Sequence, residues 1–261
     1  MDQPDILLKS LSSEHLRLWD RDGVLVLKAG ETFSPNLVAA IRRWTDEVQA
    51  WPETPGKWMM YFEKSLKDGA RILNRMENFF PYHEGFNRLF NGDWALGLAG
   101  QLLGGPAVAF KEKINFKLPG GGAFAAHQDV QAGWDRYGQS VHISLAVAVD
   151  AATIENGCLE VVRGEHKKGL IGPMGAEIPK DVCDQLTWEP VLMDPGDMIF
   201  FDSFAPHRSA PNLTASTRRV IYLTYNKASE GDTRERYYAD KRQSFPPDIE
   251  RDPGKKYEYK I

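Results

Sequence analysis

His127 and Asp129 are separated by one residue, so in extended chain their side chains leave the same face and can hold one metal ion. Two ligands do not complete a site. Two histidines and one carboxylate occupy three adjacent corners around iron and leave three open, as a bidentate co-substrate and O2 require. A zinc hydrolase more often shows a different ligand set. An isolated His-x-Asp pair usually marks a surface turn. Here Gly120-Gly121-Gly122 precedes the pair and Gly133-Trp134 follows it, a context that suits a loop at a barrel mouth.

Among the other histidines, His15 and His83 fall in the helical half, His142 lies inside a strand pattern and His166 follows a glycine turn. These read as structural or exposed. His207 differs, because it follows the strand-like Met198-Ile199-Phe200-Phe201 and opens the polar turn Arg208-Ser209-Ala210-Pro211-Asn212. It is the best third ligand. Eleven positions later Arg218 begins an apolar strand, Val220 to Tyr225, that can return beside the metal. A guanidinium suits the far carboxylate of a dicarboxylate, since its planar donors pair with two oxygens at once. Strand alternation sends Arg219 to the opposite face, so only one of the two arginines can serve.

The elements that must position these residues follow from periodicity and turn chemistry. Ser12 or Ser13 caps a short helix through Trp19, Asp22-Gly23 turns the chain, and Val24 to Leu27 reads as a strand. Ser34-Pro35 starts a helix expected to reach about Trp51. Prolines, glycines and aromatics from Pro52 to Gly69 suggest a long loop of the kind that forms lids. Helical spacing from Glu84 to Leu103, stopped by Gly104-Gly105, predicts a second long helix. After Pro106 come strands at Val108 to Leu118, Val141 to Val149, Cys158 to Val162, Met198 to Phe201 and Arg219 to Tyr225. Helices first and short strands afterwards favour a two-sheet barrel with helices on one sheet. In the first strand Lys111, Lys113, Asn115 and Lys117 share one face and Ile114 and Phe116 the other. The polar row faces either the barrel interior or, on a solvated edge strand, water. The tail from Gly231 carries no assignable element.

The length of 261 residues fits one domain spanning 1–261. With 32 Lys plus Arg against 36 Asp plus Glu, the net charge of -4 argues against a nucleic-acid surface. Cys158 and Cys183 match no metal or redox spacing and read as reduced thiols. Met1 to Ser10 lacks the basic start and apolar run of a signal peptide, and no segment approaches a membrane span. The expected compartment is cytoplasm, with no membrane partner.

The ordered set His127-Gln128-Asp129, Glu155-Asn156-Gly157-Cys158-Leu159-Glu160-Val161, Pro206-His207-Arg208-Ser209 and Arg218 resembles the phytanoyl-CoA dioxygenase family, over a stretch from Asp22-Gly23 to Tyr225. The resemblance implies a mainly β fold with flanking helices, a double-stranded β-helix or jelly roll. It implies Fe(II) at His127, Asp129 and His207, with 2-oxoglutarate and O2 as co-substrates. It also implies that Arg218 and Ser209 bind 2-oxoglutarate, assisted by Lys113 or Asn115. Lys111 to Lys117, Gln131-Ala132-Gly133-Trp134, Tyr222 to Asn226 and Tyr237-Tyr238-Ala239-Asp240-Lys241 are similar to the branch that hydroxylates aminoalkylphosphonates at the carbon bearing phosphorus. That chemistry gives a 1-hydroxy product, succinate and CO2.

A phosphonate calls for Arg, Lys or amide donors, and an ammonium for carboxylates or aromatic faces. Asn74, Arg75 and Asn78, with Trp134, are the pocket candidates. Two other readings stand beside this one: a hydroxylase of an amino acid or lipid derivative, and a non-catalytic jelly-roll binding module. The order His127, Asp129, His207, Arg218 weighs against the second.

Overall fold

The computed structural model describes residues 5–137 and 141–257. Its helical part begins where the capping residues require. Ser12 accepts a hydrogen bond from the His15 amide and starts α1 (Ser13–Asp22), which Gly23 ends in a left-handed turn. After β1 (Val24–Leu27) and the single turn α2 (Ala29–Thr32), the Ser34 hydroxyl caps α3 (Pro35–Gln49), with proline in its first turn. The expected second long helix is instead two, α4 (Glu84–Phe90) and α5 (Asp93–Leu103). Asn91-Gly92 breaks it: a Cβ at Gly92 would lie 2.2 Å from the Arg88 carbonyl oxygen, so the turn needs glycine. Phe86, Leu89, Phe90 and Leu98 face one core across the break, which is why the periodicity looked continuous.

The larger departure lies in the expected loop from residue 52 to 69. It contains β2 (Met59–Lys64), and β3 (Arg71–Glu77) follows. Both extend a sheet whose neighbouring strand is β4 (Ala107–Lys117): β3 pairs with β4, and β2 pairs with β3. Tertiary pairing with a distant strand decides this segment, and local turn signals hide it.

The other strands are β5 (Phe124–His127), β6 (His142–Ala148), β7 (Leu159–Val161), β8 (Glu189–Val191), β9 (Met198–Asp202), β10 (His207–Ser209) and β11 (Arg218–Lys227). One sheet has the order β1-β9-β6-β11-β4-β3-β2, the other β5-β10-β7-β8. Together they form the expected jelly roll. The short helix α6 (Lys180–Cys183) lies between β7 and β8, and α7 (Arg234–Ser244) occupies the tail, for which no element is expected from local pattern.

Alternation divides the large sheet into two working faces. Ile114, Phe116, Leu145, Ile221 and Leu223 pack with Leu37, Ile41, Phe86 and Leu98 of the helices. Ala146, Ile199, Phe201 and Val220 share a second core with Leu159, Val161 and Val191 of the small sheet. Each such Leu, Ile or Phe contributes about 1.5–3 kcal/mol by leaving water. The same parity turns Arg218 inward with Val220 and Tyr222, and Arg219 outward to ion pairs with Asp150 and Asp46. β4 is a central strand between β11 and β3, so its polar row faces the interior.

Both cysteines are free. Among the described residues no helix is long and apolar enough to cross a membrane.

Candidate metal centre and active site

His127 ends β5 and His207 begins β10, and the two are direct cross-strand partners. Their rings therefore lie side by side, with centroids 4.2 Å apart. Each Nδ1 is within hydrogen-bond distance of a carbonyl two residues earlier, 2.7 Å to Ala125 and 3.0 Å to Ala205. Donation there fixes the tautomer and leaves both Nε2 atoms as acceptors. Gln128 is extended, and Asp129 opens the 3-10 turn Asp129–Ala132, so its carboxylate returns to the same point. Asp129 Oδ1 lies 3.9 Å from His127 Nε2 and 3.8 Å from His207 Nε2.

The protonation states suit a cation. Burial holds both imidazoles below the usual histidine range, and each is the less able to charge with cations nearby. Burial would raise Asp129, but His207, Lys111, His127 and Lys113 outweigh it and keep the carboxyl ionised well below its ordinary value. Two neutral nitrogens and one carboxylate oxygen, all within 4.8 Å of one another, form the donor set that Fe(II) takes. Ser144 on β6 donates to Asp129 Oδ2 at 2.5 Å and fixes its orientation.

A cavity of about 380 Å³ opens on this centre. Lys111, Lys113, Asn115, Ser209, Asn74 and Arg75 line it. Arg218 lies behind the lining at 1% exposure, opposite Lys117 across the β11 and β4 ladder. Lys117 Nζ donates to Ser209 Oγ at 2.7 Å and to the Ala210 carbonyl. Burial, then Arg218, lower the Lys117 amine to about 7. Arg218 Nε and Asn115 Oδ1 are buried without a hydrogen-bond partner. Two cations beside a hydroxyl and an unsatisfied guanidinium N–H fit an anion's carboxylate, whereas the Asn115 oxygen calls for a donor.

The substrate candidates separate. Asn74 and Arg75 reach the cavity, Arg75 paired with Glu77 at 2.7 Å. Asn78 and Trp134 do not. Asn78 follows β3 at φ 58° and accepts from Arg234 outside the lining. Trp134 is buried behind Lys111, whose ammonium sits 4.2 Å from its ring centre, among Phe110, Tyr137 and Tyr237. The turn after the metal pair thus lies near the site, with its tryptophan on the far side of Lys111 from the cavity.

The Glu155 to Val161 motif has a supporting part. Asn156 closes its turn on Thr153 and Ala151, and Gly157, at φ 73°, allows the Ala210 carbonyl to approach where a Cβ would lie 2.1 Å away. That carbonyl is the one Lys117 holds. Sequence reasoning missed Ser144, Lys117, Glu63 and the tail residues Phe245 and Arg251. Lys117 was visible in the polar row, but the others had no local signal. Phe245 stacks on Tyr61 and Arg251 lies over Phe245, and both line the cavity mouth.

Comparison with known proteins agrees with this geometry. The model of the phytanoyl-CoA dioxygenase family matches residues 19–220. The chain is 42% identical to a 2-aminoethylphosphonate dioxygenase from an uncultured bacterium, HF130_AEPn_1, covering 94% of this chain and 93% of that one. It is 44% identical to a methylphosphonate hydroxylase of Gimesia maris, covering 90% of this chain and 88% of that one. Among solved structures, EctD from S. alaskensis with 2-oxoglutarate and 5-hydroxyectoine superposes with a TM-score of 0.73 at 22% identity, over 84% of this chain and 77% of that one. The last likeness shows the fold. The chain belongs to the phytanoyl-CoA dioxygenase family of iron(II)- and 2-oxoglutarate-dependent oxygenases.

Proposed function

We propose that the protein hydroxylates a small aminoalkylphosphonate at the carbon bearing phosphorus. The observation that carries the substrate class is Lys113. Its ammonium lines the cavity and, among the described residues, makes no hydrogen bond or ion pair; it stands 5.0 Å from the centre of the Tyr222 ring. Lys111 and Arg75 line the same wall. A cationic wall beside the metal ligands calls for an anionic group next to the reacting carbon. The two phosphonate-named relatives support the same reading.

His127, Asp129 and His207 would hold the iron, and Arg218 with Ser209 and Lys117 would anchor the distal carboxylate of 2-oxoglutarate. Asn115 and Lys113, which line the cavity, would meet its other end or the substrate's phosphonate. When bound, iron supplies O2 activation coupled to decarboxylation of 2-oxoglutarate to succinate and CO2, and with it hydroxylation of a C–H bond. The chain's own part is placement. Carbonyl-anchored imidazoles keep Nε2 aimed inward, Ser144 holds the carboxylate, and Phe245 and Arg251 complete the cavity lining.

The test is a screen of iron-loaded protein with 2-oxoglutarate and O2 against aminoalkylphosphonates, amino acids and lipid derivatives. Succinate release together with a 1-hydroxyphosphonate signal in phosphorus NMR is the expected result. Coupled turnover of an amino acid or lipid, with none for any phosphonate, would overturn the substrate class.

A further inference from the structure

Three carboxylates line the cavity: Asp129, Glu177 and Glu63. Asp129 is committed to the metal set, and Glu177 lies exposed at the rim. Glu63 is different. It is partly buried on β2 and held by two neutral donors, Asn74 Nδ2 to Oε1 at 2.9 Å and the Gly122 amide to Oε2 at 3.1 Å. Among the described residues no Lys, Arg or His forms an ion pair with it. The buried or half-buried glutamates around it are all neutralised: Glu77 by Lys241 and Arg75, Glu112 by Arg234, and Glu160 by Arg208. Lys117 feels its charge only at longer range. A fixed carboxylate without an ion pair, facing a cavity, is an acceptor for a cationic ligand group.

The approach of Glu63 to its second donor is built into the chain. A Cβ at Gly122 would lie 2.8 Å from Glu63 Oε2, so glycine there lets the carboxylate reach across the mouth to the loop that leads into β5. Asn74 is the residue left unpaired where the β2 and β3 register slips, between the pairs Tyr61 with Arg75 and Phe62 with Leu73. The bulge aims its amide at Glu63.

Strand register also separates the charges. Lys113 is level with Glu77 and Met59, Asn115 with Arg75 and Tyr61, and Glu63 lies beyond both ranks along β2. Lys111 and Lys113 stand nearer the metal ligands, as both act on Asp129, whereas Lys117, outside the cavity lining, is the cation that acts on Glu63. A ligand carrying an anion at one end and a cation at the other has a single favourable orientation in such a field.

We propose that Glu63, oriented by Asn74 and Gly122, binds the ammonium of the substrate and makes the protein selective for amino-bearing phosphonates over alkylphosphonates. This rests on the phosphonate hydroxylase reading. It also accounts for the orientation that reading needs: with the anion at Lys111, Lys113 and Arg75 and the ammonium at Glu63, the carbon bearing phosphorus lies toward the metal end.

The experiment compares 2-aminoethylphosphonate with propylphosphonate, in which a methyl replaces the ammonium, on iron- and 2-oxoglutarate-loaded wild type, Glu63→Gln and Glu63→Asp. The ratio of kcat/KM for the amine to that for the alkyl compound should fall at least tenfold in Glu63→Gln, mainly through KM, and be partly restored in Glu63→Asp. Anaerobic titration of each ligand should show the same loss in Kd for the amine alone. An equal fall for both compounds in both variants, or no change in the ratio, overturns the role of Glu63 and leaves phosphonate hydroxylation standing. Wild-type protein that turns over phosphonates without preferring the amine does the same. Wild-type protein that hydroxylates neither compound overturns both the role and the reading beneath it.

Discussion

The Ser144 hydroxyl donates to Asp129 Oδ2 at 2.5 Å, joining a strand of the large sheet to the metal carboxylate carried by the loop after β5 of the small one. The metal site is therefore held by both sheets. His127 and His207 come from adjacent strands of the small sheet, and the third ligand is steadied from across the barrel.

Ser144→Ala should leave the fold intact and weaken Fe(II) binding by about 10–100-fold, the usual effect of removing a group that orients a ligand. A competition titration against a chelator reads this directly. Unchanged affinity would mean that Asp129 needs no such support.

With the distal carboxylate placed as proposed, Lys117 would tie 2-oxoglutarate binding to pH. Burial and Arg218 hold its amine at about 7 in the free protein. A carboxylate arriving beside it favours the charged form and raises that value, so binding at pH 8 takes up a proton. Affinity should then strengthen as pH falls from above 8 toward 7 and level off below. Calorimetry in buffers of different ionisation heat measures the uptake, and Lys117→Met should abolish it. Proton uptake that survives in the variant would assign the effect to another group.

The C-terminal helix is fastened by buried charge. Lys241 Nζ meets both Glu77 oxygens at 2.7 Å, and Glu77 is 1% exposed. Burial opposes ionisation of Glu77, but Lys241, Arg75 and Lys111 outweigh it and lower the carboxyl to about 2. A carboxyl depressed from 4.5 contributes stability that is complete above that value and is lost as pH falls toward 2. Lys241→Met leaves Glu77 with fewer cations and should cost about 3 kcal/mol in urea unfolding at neutral pH. The acid loss should also be smaller and be complete at a higher pH. Wild-type stability in Lys241→Met would show that Arg75 alone suffices.

Much of the site was legible because its residues report on themselves. His127 and Asp129 are two apart, and that spacing fixes their common side whenever the chain is extended. Arg218 and Arg219 differ by one position, so alternation separates an interior guanidinium from one that pairs with Asp150 and Asp46. The capped helix at Ser34 was equally local. Asn78 and Trp134 lie outside the cavity lining, because being near a site in sequence does not say on which side of Lys111 or β3 a side chain stands. The loop expected between residues 52 and 69 was wrong for a related reason, since β2 and β3 exist by pairing toward β4, more than thirty residues later.

By itself the sequence determined the ligand types, their order and the alternation of the strands that carry them, because these depend on side-chain chemistry and on the two-residue repeat of extended chain. Tertiary structure alone decided that Ser144 meets Asp129, that Lys117 lies against Ser209 and Arg218, and that Glu63 faces the cavity without an ion pair among the described residues. Those contacts join residues 15 to 101 positions apart, where no local energy term acts and only the closing of two sheets around one interior sets which groups meet.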